Sequence, residues 1–219
     1  MKHSYITRRQ FLRQAAGSAL SFGLGLAALS LPETTTKLFK EAGSVSKSMT
    51  NQALLTVYPE DMIGEINPFI YGHFIEHLGR CIYNGIWVGE DSDVPNIKGM
   101  RKDTLKLIRA IKPTIMRWPG GCFADGYHWQ DGIGLRDKRP ERFDAAWKKP
   151  ESNKFGTDEF MTFCRLTKCI PHITTNFGSG TPEEAAAWVE YCNGDINTEF
   201  GKKRAENNHP KPYAVKYWS

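Results

Sequence analysis

The run from His73 to His77 carries the sharpest metal-binding pattern of the chain, because its sequence matches H-x-x-E-H. On a helix, two histidines at this spacing share a face and can hold one zinc ion, with the glutamate as a base. The preceding residues, from Pro68 to Gly72, instead favour an extended run, on which Glu76 would point away from both histidines. The flanks therefore disfavour a zinc peptidase, and the sequence predicts neither a metal nor another cofactor.

Glu76 has a second interpretation, as a carboxylate that accepts hydrogen bonds from sugar hydroxyl groups. The segment from Phe123 to Phe155 is rich in aromatic residues and has neither helical nor strand periodicity. Structureless segments of this length are usually functional or disordered, and the aromatic residues argue against disorder. Aromatic rings can stack on sugar rings, and Trp147 is the best candidate in the segment. Two ordinary roles remain open, a surface ion pair for Glu76 and a small aromatic core under the loop.

Strand and helix patterns alternate along the rest of the chain. Strands are predicted over Phe69–Ile75, Thr114–Trp118, Ile170–Phe177 and Tyr213–Trp218, and helices over Gly99–Ile111, Thr157–Lys168 and Pro182–Cys192. The last helix has Thr181 as its predicted N-cap and Glu184 as the partner in a capping box.

This α/β order is typical of parallel βαβ units, in a (β/α)8 TIM barrel or in a doubly wound sheet. Either fold collects its functional residues at the carboxyl ends of the strands. The chain has no glycine-rich phosphate-binding motif after a predicted strand, which favours the barrel.

The net charge of +5 comes from the N-terminal segment. Residues 1–48 hold seven basic and two acidic residues, and residues 49–219 hold 22 of each. A neutral folded part lacks the basic surface that binds phosphate backbones, so no nucleic-acid partner is predicted.

The first 31 residues have the pattern of a Tat-like export signal, with Arg8 and Arg9 before an apolar run from Ala15 to Leu31. That run is shorter than a membrane span requires. A polar stretch over residues 32–50 is predicted to be a linker. The predicted location is therefore periplasmic or extracellular.

Two of the five cysteines, Cys164 and Cys192, lie among apolar neighbours in helical patterns and are predicted core residues. Cys122 is different, because it follows two glycines at a predicted strand end. That position makes it a candidate site residue.

Five longer motifs, in order along the chain, closely resemble the family 51 α-L-arabinofuranosidases. They are Gly72–Arg80 (GHFIEHLGR), Arg117–Phe123 (RWPGGCF), Tyr127–Gly134 (YHWQDGIG), Phe155–Phe160 (FGTDEF) and Val189–Asn193 (VEYCN). The resemblance covers residues 51–218 and rests on several long motifs, which makes it more specific than a single short pattern.

The resemblance implies that residues 64–219 form the N-terminal half of a (β/α)8 barrel, preceded over residues 51–63 by one strand of an accessory β-sandwich. It implies retaining hydrolysis of terminal α-L-arabinofuranosyl units in arabinan or arabinoxylan. The expected partner is thus an arabinose-containing plant polysaccharide or oligosaccharide, and a homo-oligomeric full-length enzyme is left open.

Site residues follow from the same resemblance. It implies that Glu76 binds arabinose hydroxyl groups, that Arg117 supports the nucleophile, and that Trp147 lines the sugar site. Asn176 lies at the end of the third predicted strand, and the resemblance implies that it belongs to the same sugar site. Cys122 stands where many members have asparagine, and since a thiol is a weak donor we expect a change in fine specificity.

The resemblance also places both catalytic carboxylates beyond Ser219, the acid/base directly after the strand matched by Val215–Trp218 and the nucleophile on a later strand. The chain by itself is therefore expected not to hydrolyse glycosides. A non-catalytic sugar-binding module that keeps Glu76 and Trp147 is the alternative, although four barrel strands leave two unpaired edges.

Overall fold

The structure, a computed structural model, describes residues 55–219. The chain divides into two units, residues 1–66 and residues 67–219. Residues 55–66 of the first unit contain a turn at Pro59–Glu60 and no strand. The sandwich strand predicted over residues 51–63 is therefore absent from its described part, 55–63, where no partner strand satisfies the backbone. The predicted export signal and linker lie outside the described residues.

The second unit alternates strands with helices. In chain order these are β1 (His73–Phe74), β2 (Asn96–Ile97), β3 (Met100–Arg101), α1 (Lys102–Ile111), β4 (Ile115–Trp118), β5 (Arg142–Asp144), β6 (Lys149–Glu151), α2 (Thr157–Thr167), β7 (Ile170–Ile173), α3 (Pro182–Asn193), α4 (Glu199–Glu206) and β8 (Tyr217–Trp218). None of the helices within residues 55–219 has both the length and the apolar character of a membrane span.

Four strands form one parallel sheet in the order β1-β4-β7-β8. The order increases steadily across the sheet, as in a (β/α)8 barrel, and does not reverse as in a doubly wound sheet. Two short antiparallel hairpins, β2–β3 and β5–β6, lie outside this sheet. The predicted α/β class with parallel strands is confirmed.

The sheet has two different faces. Its register aligns Phe74 with Arg117, Arg117 with His172, and His172 with Tyr217, so these four side chains lie on one face. The Arg117 guanidinium carbon lies 5.1 Å from the centre of the Phe74 ring, within cation–π range. This row, which corresponds to the interior of a barrel, includes Phe74 at 60% exposure.

The opposite face of the sheet packs on the helices around Trp118. The Trp118 ring stacks on Phe160 of α2 with the ring centres 5.0 Å apart. It also meets Trp188 of α3 edge to face at 5.9 Å. The Trp188 indole N–H donates to the Thr157 hydroxyl at 3.0 Å, so its polar atom is satisfied inside the core. Aromatic burial of this kind holds α2 and α3 on the sheet.

Cys164 and Cys192 are buried at 2% and 0% exposure, which confirms their predicted place in the core. The capping box predicted for α3 is only half formed. The Thr181 hydroxyl accepts the backbone N–H of Glu184 at 3.1 Å, but the Glu184 carboxylate contacts His128 Nδ1 at 2.9 Å instead of closing the box. A histidine brought in from the long loop competes for that carboxylate.

Three predicted strands are wrong over part of their length. The strand predicted over Ile170–Phe177 ends at Ile173, the last residue of β7. The predicted strand Phe69–Ile75 begins as a 3-10 turn over Pro68–Tyr71, because Pro68 has no N–H and Asn67 Oδ1 accepts the Phe69 N–H at 2.9 Å. The strand predicted over Tyr213–Trp218 shortens to β8, since Ala214 adopts a left-handed φ of 55°.

Helix α4 was not predicted, because the residue that anchors it is charged. Arg204 is fully buried and donates to the carbonyl oxygens of Tyr191 at 2.7 Å, His209 at 2.9 Å and Pro210 at 3.3 Å. Helices are predicted from apolar residues at helical spacing, and a buried arginine does not contribute to that pattern. The available signal was the N-cap, Thr198, whose hydroxyl accepts the Gly201 N–H at 3.2 Å.

The long segment between Phe123 and Phe155 is ordered and tied to α2 by Glu159. Arg139 donates to both Glu159 oxygens at 3.0 and 3.1 Å, and Arg136 adds a third contact at 2.8 Å. The Gly156 N–H donates to the same carboxylate at 2.8 Å. Both Arg139 and Glu159 side chains are almost fully buried. The pair therefore fixes the loop against the barrel wall.

We expect the substitution Glu159→Gln to lower the free energy of unfolding by roughly 3 kcal/mol at pH 7, because it leaves Arg139 buried without a counter-charge. Burial works to raise the Glu159 pKa, but hydrogen bonds and charge from Arg139 outweigh it, and the pKa is lowered. A lowered pKa means that the stabilisation is present above the unfolded value of about 4.3 and is lost as the pH falls through the folded value.

Urea denaturation at several pH values measures this effect. The matched control is Glu141→Gln, an exposed position in the same loop, which we expect to change the stability by less than about 0.5 kcal/mol. Equal stabilities for the two variants at pH 7 would contradict the role of the pair.

Candidate functional site

Backbone pairing continues beyond the strands and brings their carboxyl ends together. The Ile75 N–H donates to the Arg117 carbonyl at 2.9 Å, and the Thr174 N–H donates to the Trp118 carbonyl at 2.9 Å. The Ser219 N–H donates to the Ile173 carbonyl at 3.0 Å. The residues that follow β1, β4, β7 and β8 therefore lie along one edge of the sheet.

Glu76 lies at this edge and is held by the loop that follows β4. Its Oε1 accepts the backbone N–H groups of Gly121 at 3.2 Å and Phe123 at 3.4 Å. Oε2 makes no hydrogen bond, and the carboxylate no ion pair, with any residue in the described range. The surface ion pair considered from the sequence is therefore not formed. One oxygen is oriented by the backbone and the other is available to a ligand.

Gly120 makes this arrangement possible. Its φ is +146°, a conformation that L-residues rarely adopt. A Cβ at this position would lie 2.3 Å from Cγ and 2.7 Å from Cδ of Glu76. Only glycine lets the Glu76 carboxylate lie across the loop at this point.

His77, the residue after Glu76, is buried. Its Nε2 accepts the Trp118 indole N–H at 3.0 Å, which places the proton on Nδ1, 3.2 Å from Glu151 Oε2. Glu151 also accepts from the Tyr83 hydroxyl and from the Asn153 N–H. Burial works to raise the Glu151 pKa, but the hydrogen bond and charge of His77 outweigh it, and the pKa is lowered.

This network corrects the interpretation of the histidine motif. His77 is the buried, hydrogen-bonded histidine of the motif, and His73 is exposed. Both ring nitrogens of His77 are engaged, so the motif cannot present two free imidazoles to zinc. Within residues 55–219 no group of three or more potential ligands is arranged to hold a metal.

Cys122 is exposed and stands between the two backbone N–H groups that hold Glu76. It also lines a cavity of about 510 Å³ between the segment that follows β4 and the β5–β6 hairpin. We call this the hairpin cavity; its lining includes Cys122, Asp125, Tyr127, Phe143, Asp144 and Glu151.

Trp147 lies in the turn of the β5–β6 hairpin and is 36% exposed. Asp144 Oδ1 shapes this turn by accepting the N–H groups of Ala146 at 3.0 Å and Trp147 at 3.3 Å. The ring is outside the lining of the hairpin cavity. Its predicted role in the sugar site stays a prediction.

Asn176 is buried, and its amide is used within the protein. Oδ1 accepts the N–H groups of Gly178 at 3.1 Å and Ser179 at 2.9 Å, and Nδ2 donates to the Tyr127 carbonyl at 3.2 Å and the Ser179 hydroxyl at 3.1 Å. In this structure Asn176 organises the loop after β7. A contact with sugar stays a prediction.

Arg117 lies on the barrel-interior face and forms no salt bridge with residues 55–219. The pKa of the neighbouring His172 is lowered by burial and by the charge of Arg117. The same charge would favour the ionised form of a carboxylate placed nearby. Its predicted support of a nucleophile stays a prediction.

Sequence reasoning missed three residues that build this site: Gly120, Glu151 and Asp144. Gly120 had a visible signal in the Pro-Gly-Gly run, and Asp144 had one in its position at the start of a turn. Glu151 had none, because its partner His77 lies 74 residues earlier in the chain.

Comparisons with known proteins agree with this geometry. The family model for the α-L-arabinofuranosidase 1 domain matches residues 107–219. The intracellular exo-α-L-arabinofuranosidase of Bacteroides ovatus is 46% identical over 177 residues, or 80% of this chain and 34% of that protein. α-L-Arabinofuranosidase C of Emericella nidulans is 44% identical over 165 residues, or 75% of this chain and 32% of that protein.

Solved structures show the same similarity. The family 51 α-L-arabinofuranosidase of Thermotoga petrophila matches with a TM-score of 0.66 and 53% identity, over 68% of this chain and 31% of that one. The arabinose complex of the Thermotoga maritima enzyme matches with a TM-score of 0.65 and 53% identity, over 68% of this chain and 30% of that one. The chain spans about a third of the length of the curated relatives it matches. The chain therefore belongs to the family 51 α-L-arabinofuranosidases.

Proposed function

We propose that this chain supplies part of the sugar-binding wall of a retaining α-L-arabinofuranosidase. The proposed reaction is release of terminal α-L-arabinofuranosyl units from arabinan or arabinoxylan. The observation that carries the proposal is the Glu76 carboxylate, held by two backbone N–H groups at the carboxyl edge of a parallel sheet. Membership of the family supports it.

In the proposed complex, Glu76 Oε2 accepts hydrogen bonds from arabinose hydroxyl groups. Such charge-assisted bonds fix the ring relative to the strand ends. The loop that carries Gly121 and Phe123 keeps the carboxylate from rotating. Little side-chain conformational entropy is therefore lost on binding. In the same proposal, Trp147 contributes an aromatic face and Cys122 a weakly polar contact to the sugar.

Retaining hydrolysis needs two carboxylates about 5 to 5.5 Å apart, one as acid/base and one as nucleophile. No carboxylate directly follows β4 or β7. We propose that both catalytic groups come from later parts of the enzyme's barrel. Arg117, on the interior face, would then favour the ionised form of the nucleophile.

We expect the 219-residue chain to bind arabinose and to leave a nitrophenyl α-L-arabinofuranoside uncleaved. Glu76→Gln should weaken arabinose binding by about tenfold, because it removes a charged acceptor. Calorimetric titration measures the binding, and nitrophenol absorbance measures the hydrolysis. The control is Glu206→Gln, an exposed position on α4. Equal affinity in both variants would contradict the role of Glu76, and hydrolysis by the chain would contradict the placement of the carboxylates.

We expect Gly120→Ala to weaken arabinose binding as much as Glu76→Gln does, because the new Cβ would displace the Glu76 side chain. Gly64→Ala is the control, since a Cβ there would meet nothing within 4 Å. The two variants are compared by the same calorimetric titration. An unchanged affinity in Gly120→Ala would show that the position of Glu76 does not depend on the loop.

We also propose that the protein is exported, on the strength of the Arg8-Arg9 pair and the apolar run that follows it. Replacing both arginines with lysine should retain the protein in the cytoplasm, because Tat-type receptors recognise the arginine pair. Cell fractionation and immunoblotting measure this. Lys2→Arg, which leaves the pair intact, is the control. Export of the double-lysine variant at the control level would contradict the proposal.

A further inference from the structure

Two buried cysteines, Cys164 and Cys169, lie on either side of the turn that leads from α2 to β7. Both are free thiols, and their exposures are only 2% and 7%. The turn ends at the start of β7, so it lies at the edge of the sheet opposite the one that holds Glu76. Neither thiol therefore belongs to the candidate sugar site.

The backbone of this turn brings the two side chains together. Lys168 adopts a left-handed conformation with a φ of 62° and ends the helix. The Cys169 N–H donates to the Cys164 carbonyl at 3.2 Å, which is the bond that defines a Schellman motif. In this motif the side chains at the two ends of that bond commonly pack against each other. Because Cys164 and Cys169 hold these two positions, the turn juxtaposes their thiols.

The two thiols differ in reactivity. Burial raises the pKa of Cys164 well above its usual value. The pKa of Cys169 is lowered, because hydrogen bonding with the Cys164 thiol outweighs the effect of burial. Cys169 is also the less buried of the two, and the exposed Lys168 precedes it. Since the thiolate is the nucleophile in thiol–disulfide exchange, Cys169 is the thiol that reacts first.

A third buried cysteine, Cys192 of α3, provides a comparison. It is fully buried, and its pKa is raised well above the usual value by burial and by the charge of Asp158. Within residues 55–219 no hydrogen bond joins it to another thiol. Cys192 is therefore an inert core cysteine and a matched control for the pair.

We propose that Cys164 and Cys169 form a redox-active dithiol, which a disulfide oxidant converts to an intramolecular disulfide that closes and stabilises the turn between α2 and β7. The Cys169 thiolate attacks one sulfur of the oxidant, forms a mixed disulfide and expels a thiolate. The Cys164 thiol then loses its proton to solvent, attacks the Cys169 sulfur and expels the second thiolate. The two cysteines lose two electrons and two protons, and the oxidant is reduced to two thiols.

Such a disulfide would act on the fold and not on the sugar site. It would tie the end of α2, whose Phe160 packs on Trp118, to the start of β7. Thiols stay reduced in the cytoplasm and form disulfides in oxidising compartments. An exported chain would therefore fold with free thiols and acquire the disulfide after export. The dithiol itself rests neither on export nor on sugar binding, because the purified chain can be oxidised directly.

Oxidation of the purified full-length chain with glutathione disulfide tests the proposal. The starting variant carries Cys81→Ala and Cys122→Ala, which removes the two exposed thiols and leaves three of the five cysteines. We expect thiol titration of the denatured chain to fall from three thiols to one, and the intact mass to fall by two hydrogen atoms. Dithiothreitol should restore both values. A chain that keeps all three thiols, or that gains glutathione without losing two hydrogen atoms, overturns the proposal.

Tryptic digestion locates the disulfide, because trypsin cuts after Arg165 and Lys168, between the two cysteines. We expect the peptide that ends at Arg165 to be joined to the peptide that begins at Cys169. The second peptide also contains Cys192, so two further variants are digested. Cys192→Ala should keep the link, and Cys169→Ala should lose it. A link that persists in Cys169→Ala, or that disappears in Cys192→Ala, overturns the assignment.

The melting temperature tests the effect on stability. We expect the oxidised starting variant to melt roughly 5 °C above its reduced form, because the crosslink restricts the unfolded chain. A variant with Cys164→Ala and Cys169→Ala in addition should melt at one temperature, whether or not it has been treated with the oxidant. A linked chain that melts no higher than the reduced one overturns the stabilising role of the disulfide.

Discussion

Trp118 donates its indole N–H to His77 in the buried interior between the sheet and the helices. This bond connects β4 to the residue directly after Glu76, and the Trp118 ring packs on both α2 and α3. A buried donor without its acceptor would cost free energy, so the bond restricts where the end of β1 can lie. The positions of the core, the sheet edge and the candidate carboxylate are thereby coupled.

The segment between Phe123 and Phe155 is also tied to His77, and it is tied to helix α2 as well. Glu151 of the β5–β6 hairpin accepts a hydrogen bond from His77, and Glu159 of α2 accepts one from Arg139 of the loop. Both carboxylates have a lowered pKa despite their burial, because each is surrounded by donors. These two pairs turn a segment without helical or strand periodicity into an ordered wall.

Similarity to the family 51 enzymes gives this architecture a chemical context. A parallel sheet places its loops at one edge, and the described residues supply binding groups at that edge. The barrel-interior row from Phe74 to Tyr217 lies next to it, with Arg117 as its charged member.

The sequence by itself determined the class of the fold, the positions of α1, α2, β4 and most of α3, and the family. Those features depend on local periodicity, on caps such as Thr181, and on long motifs that need no knowledge of distant contacts. It also singled out Glu76 as a candidate site residue, and the structure holds its carboxylate at the edge where the strands end.

Tertiary structure decided the rest, for reasons that are non-local. Helix α4 depends on the buried charge of Arg204, and the short β1 and β8 depend on a proline turn and a left-handed alanine. The buried position of His77 depends on Glu151, which lies 74 residues later in the chain. A pattern in the chain can show that a carboxylate is present, but only its neighbours in space determine which of its oxygens remains free to bind a ligand.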